Sequence, residues 1–110
     1  MSDRSSELLL EDILEAALKI QRYVSDIDFE HFIADDKTAD AVVRNFEIIG
    51  EAANRLPTEL KASYQEIDWE RIRGFRNRIV HDYFGIDYSI VWNIVQNFLP
   101  ELIKKLSKTH

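Results

Sequence analysis

Apolar residues recur along this chain at intervals of three and four, the period of an α-helix, and nowhere at the strict alternation of a half-buried strand. The first such run predicts a helix from about Ser6 to Ser25, with Leu10, Ile13, Leu14, Ala17, Leu18 and Val24 on its apolar side and Leu8, Leu9 and Ile20 widening it. Asp26 to Asp36 mixes acids with Phe29, Phe32 and Ile33, the composition of a short helical connector whose aromatics cap one end of a core. A second long helix is expected from about Thr38 to Arg55, carrying Ala39, Val42, Val43, Phe46, Ile49 and Ala53 in one stripe. Gly50 interrupts that stripe at a cost of about 1 kcal/mol relative to Ala, which close packing against a neighbouring helix would offset. Pro57 stops the helix and begins the next turn, and Thr58 to Gln65 reads as a short helix or turn.

Asp68 is placed to cap a third helix from Trp69 to about Phe84-Gly85, because its carboxylate accepts from the unpaired amides of a first turn. Asp87 stands in the same relation to a last helix, Tyr88 to about Leu106, which Pro100 should kink or divide. Four principal helices with short connections predict an all-α, up-and-down four-helix bundle with short additional helices. No repeat, linker or low-complexity segment divides it, so residues 1–110 read as a single domain.

Composition sharpens that picture. The 110 residues hold 14 basic and 20 acidic side chains, a net charge of −6, and are 45% hydrophobic, enough apolar material for one modest core and too short a chain for two domains. The absence of cysteine removes disulfides, thiol nucleophiles and cysteine zinc sites together. A polar, acid-containing start without an apolar run, and apolar stretches broken by charges such as Glu11 and Asp12, lead us to expect a cytoplasmic protein with no membrane partner. The negative balance opposes constitutive wrapping of nucleic acid, so any such contact must be local.

One segment concentrates positive charge. Arg71, Arg73, Arg76 and Arg78 place four of the 14 basic residues within eight positions. On a helical wheel Arg76 falls inside the apolar arc formed by Trp69, Ile72, Phe75, Ile79, Val80 and Phe84, where a guanidinium is costly without a partner. Tyr83 follows seven positions later on the same line, and Asn77 and His81 share an adjacent face, with Gly74 leaving room beside them. Arg71, Arg73 and Arg78 are as readily explained by pairing with acids on a solvated face. Taken alone, His81 is more simply an interfacial histidine and Tyr83 a core residue with its hydroxyl at the rim.

In combination, Arg76-x-x-x-x-His81-x-Tyr83 resembles the Arg-x-x-x-x-His-x-Tyr motif of HepT toxins, a branch of the HEPN superfamily. Arg44-Asn-Phe-Glu-Ile-Ile-Gly-Glu-Ala52, Ile67-Asp-Trp69, Arg76-Asn77-Arg78 and the segment from Val91-Trp92 to Leu99-Pro100 are similar to the rest of such a chain in order and spacing. The resemblance implies a HEPN-type bundle that forms a homodimer with two Arg-His motifs facing across a cleft. It also implies a metal-independent endoribonuclease, the toxin of a toxin–antitoxin pair, with transfer RNA as one substrate class. Its antitoxin would be an MntA-like nucleotidyltransferase that uses ATP and magnesium to adenylylate Tyr83, whereas cleavage itself would need no cofactor.

The residue chemistry fits that implication. The RNA 2′-hydroxyl can serve as nucleophile, leaving a cyclic phosphate, if one group moves protons and another stabilises the phosphate charge. His81 suits the first role, since an unperturbed imidazole titrates near about 6.5, and Arg76, whose planar fork matches phosphate oxygens, suits the second. Asn77, Arg73 and Arg78 are supporting candidates. Metal chemistry finds no paired ligand spacing among His31, His81, His110 and the many acids. Asp82 points about 100° away from His81 on the wheel, which disfavours a hydrolase triad, and Glu51 is assigned no catalytic role, since a contact with the arginine cluster is structural as readily as functional. Two other readings stay open: a non-catalytic nucleotide-binding or docking subunit of a minimal nucleotidyltransferase, and a purely structural helical dimer in which an acid such as Glu51 satisfies Arg76.

Overall fold

The structure is a computed structural model that describes residues 4–81 and 85–109, with residues 81, 108 and 109 described at the backbone. Its helices are α1 (Ser6–Tyr23), α2 (Phe29–Ala34), α3 (Asp36–Arg55), α4 (Thr58–Ser63), α5 (Trp69–Ile79), α6 (Tyr88–Asn97) and α7 (Leu99–Thr109). Two short strands, β1 (Val80–His81) and β2 (Gly85–Ile86), pair antiparallel between α5 and α6. The four principal units expected from the periodicity are therefore present as α1, α3, α5 and the pair α6–α7. The last helix is divided between Asn97 and Leu99, with Pro100 in the first turn of α7, where a missing amide costs no helical hydrogen bond.

Short polar residues set most of the helix starts. Ser5 accepts from the Leu8 amide, Asp68 from that of Arg71, and Asp87 from those of Ser89 and Ile90. Asp28 and Asp35 cap α2 and α3 in the same way, through the amides of His31 and Thr38. The hydrogen bonds from Thr38 hold the Asp35 carboxyl below its ordinary value, and those from His31 do the same for Asp28.

Helix α3 is central, packing against α1 on one side and α5 on another, while α7 returns against α1. The α1–α3 seam is built from Ile13, Ala17, Ile20, Val42 and Ile49, all fully buried. The α1 apolar side is narrower than its sequence suggests, because Leu8 and Leu18 are 40% and 41% exposed. Among the described residues one polar side chain enters the core: Asn45 is 6% exposed and donates its amide to the Ala41 carbonyl at 2.8 Å, one turn back on its own helix. The acidic connector behaves as expected, since Phe32 and Phe29 of α2 meet Trp92 of α6 at centroid distances of 5.1 and 6.1 Å.

Helix α5 is fixed by aromatic contacts. Phe75, 2% exposed, meets Phe46 of α3 edge-on at 5.6 Å and Phe98, at the α6–α7 junction, edge-on at 5.1 Å. Arg71 lies over the outer face of the Phe98 ring at 4.9 Å, closing the stack with a cation.

The structure corrects the sequence reading in three places. Helix α5 ends at Ile79, not near Phe84-Gly85, because the chain turns into the strand pair Val80↔Ile86 and His81↔Gly85. The Asp87 amide donates to the Ile79 carbonyl at 2.7 Å and so anchors the base of the hairpin, and Gly85 takes a φ of +78° that a side chain would strain. Arg76 is also exposed rather than buried in an apolar arc, since α5 is covered by α3 and α6 on only part of its circumference. Finally, a Cβ at Gly50 would meet nothing within 4 Å, so no neighbouring helix packs closely on it.

Two consequences can be measured. Phe75→Ala should cost about 3–5 kcal/mol, since truncation opens a cavity shared by three helices, and this would appear as a lowered urea midpoint without a change of slope. The depressed Asp35 carboxyl contributes stability that is fully present above its ordinary value of 3.8 and is lost as pH falls through the lower folded-state value. Asp35→Asn keeps a competent cap but cannot titrate, so its melting temperature should fall less than that of the parent chain across the same acid range.

Candidate active site

A groove of ≈ 510 Å³ runs between α3 and α5 and ends at the hairpin. Its floor is apolar, formed by the buried Phe46, Ile72, Phe75 and Ile79. Val43, Val80 and Ile86 continue it towards the rim, and Val80 is 43% exposed. The α5 wall carries Arg73, Arg76 and Asn77, while the α3 wall carries Arg44, Glu47, Glu51 and Asn54.

The positions of these groups follow from the helix period. Phe75 points into the core, so residues 73, 76 and 77 flank it on the side facing α3, and Arg78 falls outside the groove. Arg73 contacts Glu70, three residues earlier, at 3.2 Å on the surface, which tethers it but leaves it solvated. Arg44 approaches Glu47 only to 3.8 Å. The side chains of Arg76, Asn77, Glu51 and Asn54 enter no hydrogen bond or ion pair among the described residues, and all four residues are exposed and line the groove.

Of the residues singled out in the sequence, Arg73, Arg76 and Asn77 are brought together here. His81 is not on a helical face with Asn77; its backbone lies in β1, two residues beyond the end of α5 and opposite Gly85. Tyr83 lies outside the described residues, and its alignment with Arg76 assumed a helix that ends at Ile79. Glu47 and Asn54 were not expected at the site. Their spacing from Glu51, four before and three after, was the available signal, because it puts all three beside the apolar stripe of α3. Among the described residues no three His, Asp or Glu side chains converge to hold a metal ion, and no helix is long and apolar enough to cross a membrane.

The profile of the family described as "Ribonuclease HepT-like" matches residues 13–109, which include both walls of this groove and the hairpin. The chain belongs to the ribonuclease HepT-like family. It is similar to "Probable ribonuclease HepT" of Thermococcus cleftensis, with 40% identity over 96% of this chain and 96% of that one. It is also 37% identical to a Methanocaldococcus jannaschii protein named "Putative RNase", over 98% of this chain and 89% of the relative. A Caldanaerobacter subterraneus protein of the same designation is 37% identical over 90% and 88% of the two chains. No solved structure matches the chain significantly. Family membership supports ribonuclease activity, and the HEPN-type bundle expected from the resemblance agrees with the observed helices.

Arg76 is exposed and makes no hydrogen bond or ion pair among the described residues, so its removal should cost the fold little. Arg76→Ala should leave the melting temperature within about 3 °C of the parent; a larger fall in a thermal melt would show that the guanidinium holds the fold together.

Proposed function

We propose that the chain is a metal-independent endoribonuclease whose active site is the α3–α5 groove, completed across a homodimer. The observation that carries this reading is the placement of Arg76 and Asn77 side by side in a groove that ends where the strand bearing His81 begins. Arg76 and Asn77 bind the scissile phosphate. The 2′-oxygen attacks phosphorus and gives its proton to an imidazole, the bond to the 5′-oxygen breaks, and that oxygen receives a proton from an acid on the opposite side. One protomer supplies one His81, so the acid comes from the partner's copy. The products are a 2′,3′-cyclic phosphate and a 5′-hydroxyl, and Arg76 stabilises the phosphate charge that builds up between them. Arg73 and Arg78 steer RNA to a chain whose overall charge is negative.

In the same reading the protein is the toxin of a toxin–antitoxin pair acting in the cytoplasm, with transfer RNA as one candidate target class. An MntA-like nucleotidyltransferase silences it: the Tyr83 phenolic oxygen attacks the α-phosphorus of ATP and gives up its proton, the bond to the bridging oxygen breaks, and pyrophosphate leaves; the partner would hold the magnesium that ATP needs. The added nucleotide is anionic and bulky, so it both fills the cleft and offsets its arginines. Cleavage itself requires no cofactor.

The test is cleavage of total cellular RNA by purified protein in EDTA, with mass measured in solution. A dimer that cuts RNA, and loses at least about 10²-fold in rate with either Arg76→Ala or His81→Ala while staying folded, is the expected result. Intact RNA, or variants that cut as well as the parent, would overturn it.

A further inference from the structure

The two walls of the groove differ in chemistry, and the phosphate chemistry above uses only the α5 wall. On the α3 wall, Glu51 and Asn54 are three residues apart, so they stand one turn apart on one face. Glu47 has Arg44 nearby, at 3.8 Å, whereas Glu51 has no ion pair among the described residues. A carboxylate facing a groove disfavours a phosphodiester, and Arg44 lies at the other end of this wall beside Glu47, so the Glu51–Asn54 stretch does not carry the RNA backbone. Beside it the floor is apolar, and Gly50 leaves the α3 backbone bare, with nothing within 4 Å of where a Cβ would stand. The complementary ligand is therefore flat, apolar on its faces and rich in donors along its edge, and shares the groove with a phosphate held by Arg76. That describes a nucleobase.

We propose that Glu51 and Asn54 form a guanine-reading subsite for the nucleotide next to the phosphate at Arg76, a proposal that rests on the ribonuclease reading of the same groove. Guanine presents two adjacent donors, N1–H and N2–H, followed by the O6 acceptor. A carboxylate accepts from both donors and an asparagine amide donates to O6, so Glu51 and Asn54 satisfy the whole edge. Adenine and cytosine each place one amino donor beside a ring-nitrogen lone pair, and uracil has a single N–H between two carbonyls. Each of the three leaves one oxygen of Glu51 against a lone pair, which is the kind of mismatch that gives base discrimination. Gly50 allows the ring to approach the helix where a larger residue would hold it away.

The subsite is tested by calorimetric titration of the full-length protein with GMP, AMP, CMP and UMP, alongside sequencing of cleavage ends on a random RNA pool. GMP should bind at least about tenfold more tightly than the other three. Glu51→Gln should reduce that preference to about threefold or less with unchanged melting temperature and mass, since the side chain is exposed. Arg76→Ala should weaken all four nucleotides together and keep their order. Gly50→Leu should weaken GMP binding in the groove, which separates a ring lying on the helix from a remote electrostatic effect. Equal binding of the four, no binding, or a preference untouched by Glu51→Gln would overturn the proposal. So would a Glu51→Gln variant that changes mass in solution, which would make Glu51 a subunit contact. Guanine preference without any RNA cleavage would support the subsite while removing the ribonuclease reading. Cleavage without base preference, with the four nucleotides bound equally, would do the reverse.

Discussion

The fold of the site depends on where Phe75 goes. Its ring is held edge-on between Phe46 and Phe98, and this fixes both the distance of α5 from α3 and the rotation of α5 about its own axis. Rotation is the more consequential of the two. With residue 75 pointing inward, the helix period leaves residues 73, 76 and 77 no choice but the flank that faces α3. A hydrophobic contact thus decides where the guanidinium stands, with no ion pair to Arg76 among the described residues. Arg71 adds to the same arrangement from outside, covering the Phe98 ring while the other arginines remain in solvent.

The ends of α5 are set as firmly as its rotation. Asp68 starts it by accepting from the Arg71 amide, and the Ile79 carbonyl finishes it by accepting from Asp87 instead of from a continuing helix. Asp87 also caps α6, so a single residue closes the hairpin and starts the next helix. The turn chemistry at Gly85, with its positive φ, belongs to the same constraint, because it allows β2 to return alongside β1. The rim of the groove, made by Val80 and Ile86, is a direct product of that return.

Most of the fold was legible in the sequence because helices announce themselves by period and by caps. Asp68, Pro57, Asp87 and Pro100 each act where their chemistry implies. What was misread has a common origin: wheel arguments assume that a helix continues. Val80 and His81 continue the helical pattern of α5 and equally fit the start of a short strand ahead of the turn residues Gly85 and Asp87. Local pattern does not choose between them; the tertiary hydrogen bond from Asp87 to Ile79 does. The burial expected for Arg76 failed for a related reason, since a wheel gives direction around a helix but not how much of the circumference a neighbour covers. Arg76 and Asn77 stand out by residue type and spacing, whereas the Arg44–Ala52 segment, although family-like in order and spacing, carries nothing that says which of its polar residues face α5, and Asn54 lies beyond it.

The end of α5 at Ile79 also changes what the Arg-His spacing means. Had the helix continued, five residues would raise His81 above Arg76 by about 7.5 Å along one axis. With the last two residues in extended backbone, the reach grows to at most about 11 Å, and its direction turns from the helix axis towards the rim. In the proposed reaction this separation is useful. A proton-transferring imidazole and a charge-stabilising guanidinium must both address one phosphate without competing for the same oxygen, and a strand beyond a helix end provides that offset. In that reaction the second protonation step falls to a group from elsewhere, the role that the proposed dimer would give to the second copy of His81. The net charge of −6 fits the same arrangement: four of the 14 basic residues cluster on α5, and in the proposed reading the carboxylates of α3 mark where the RNA backbone does not run.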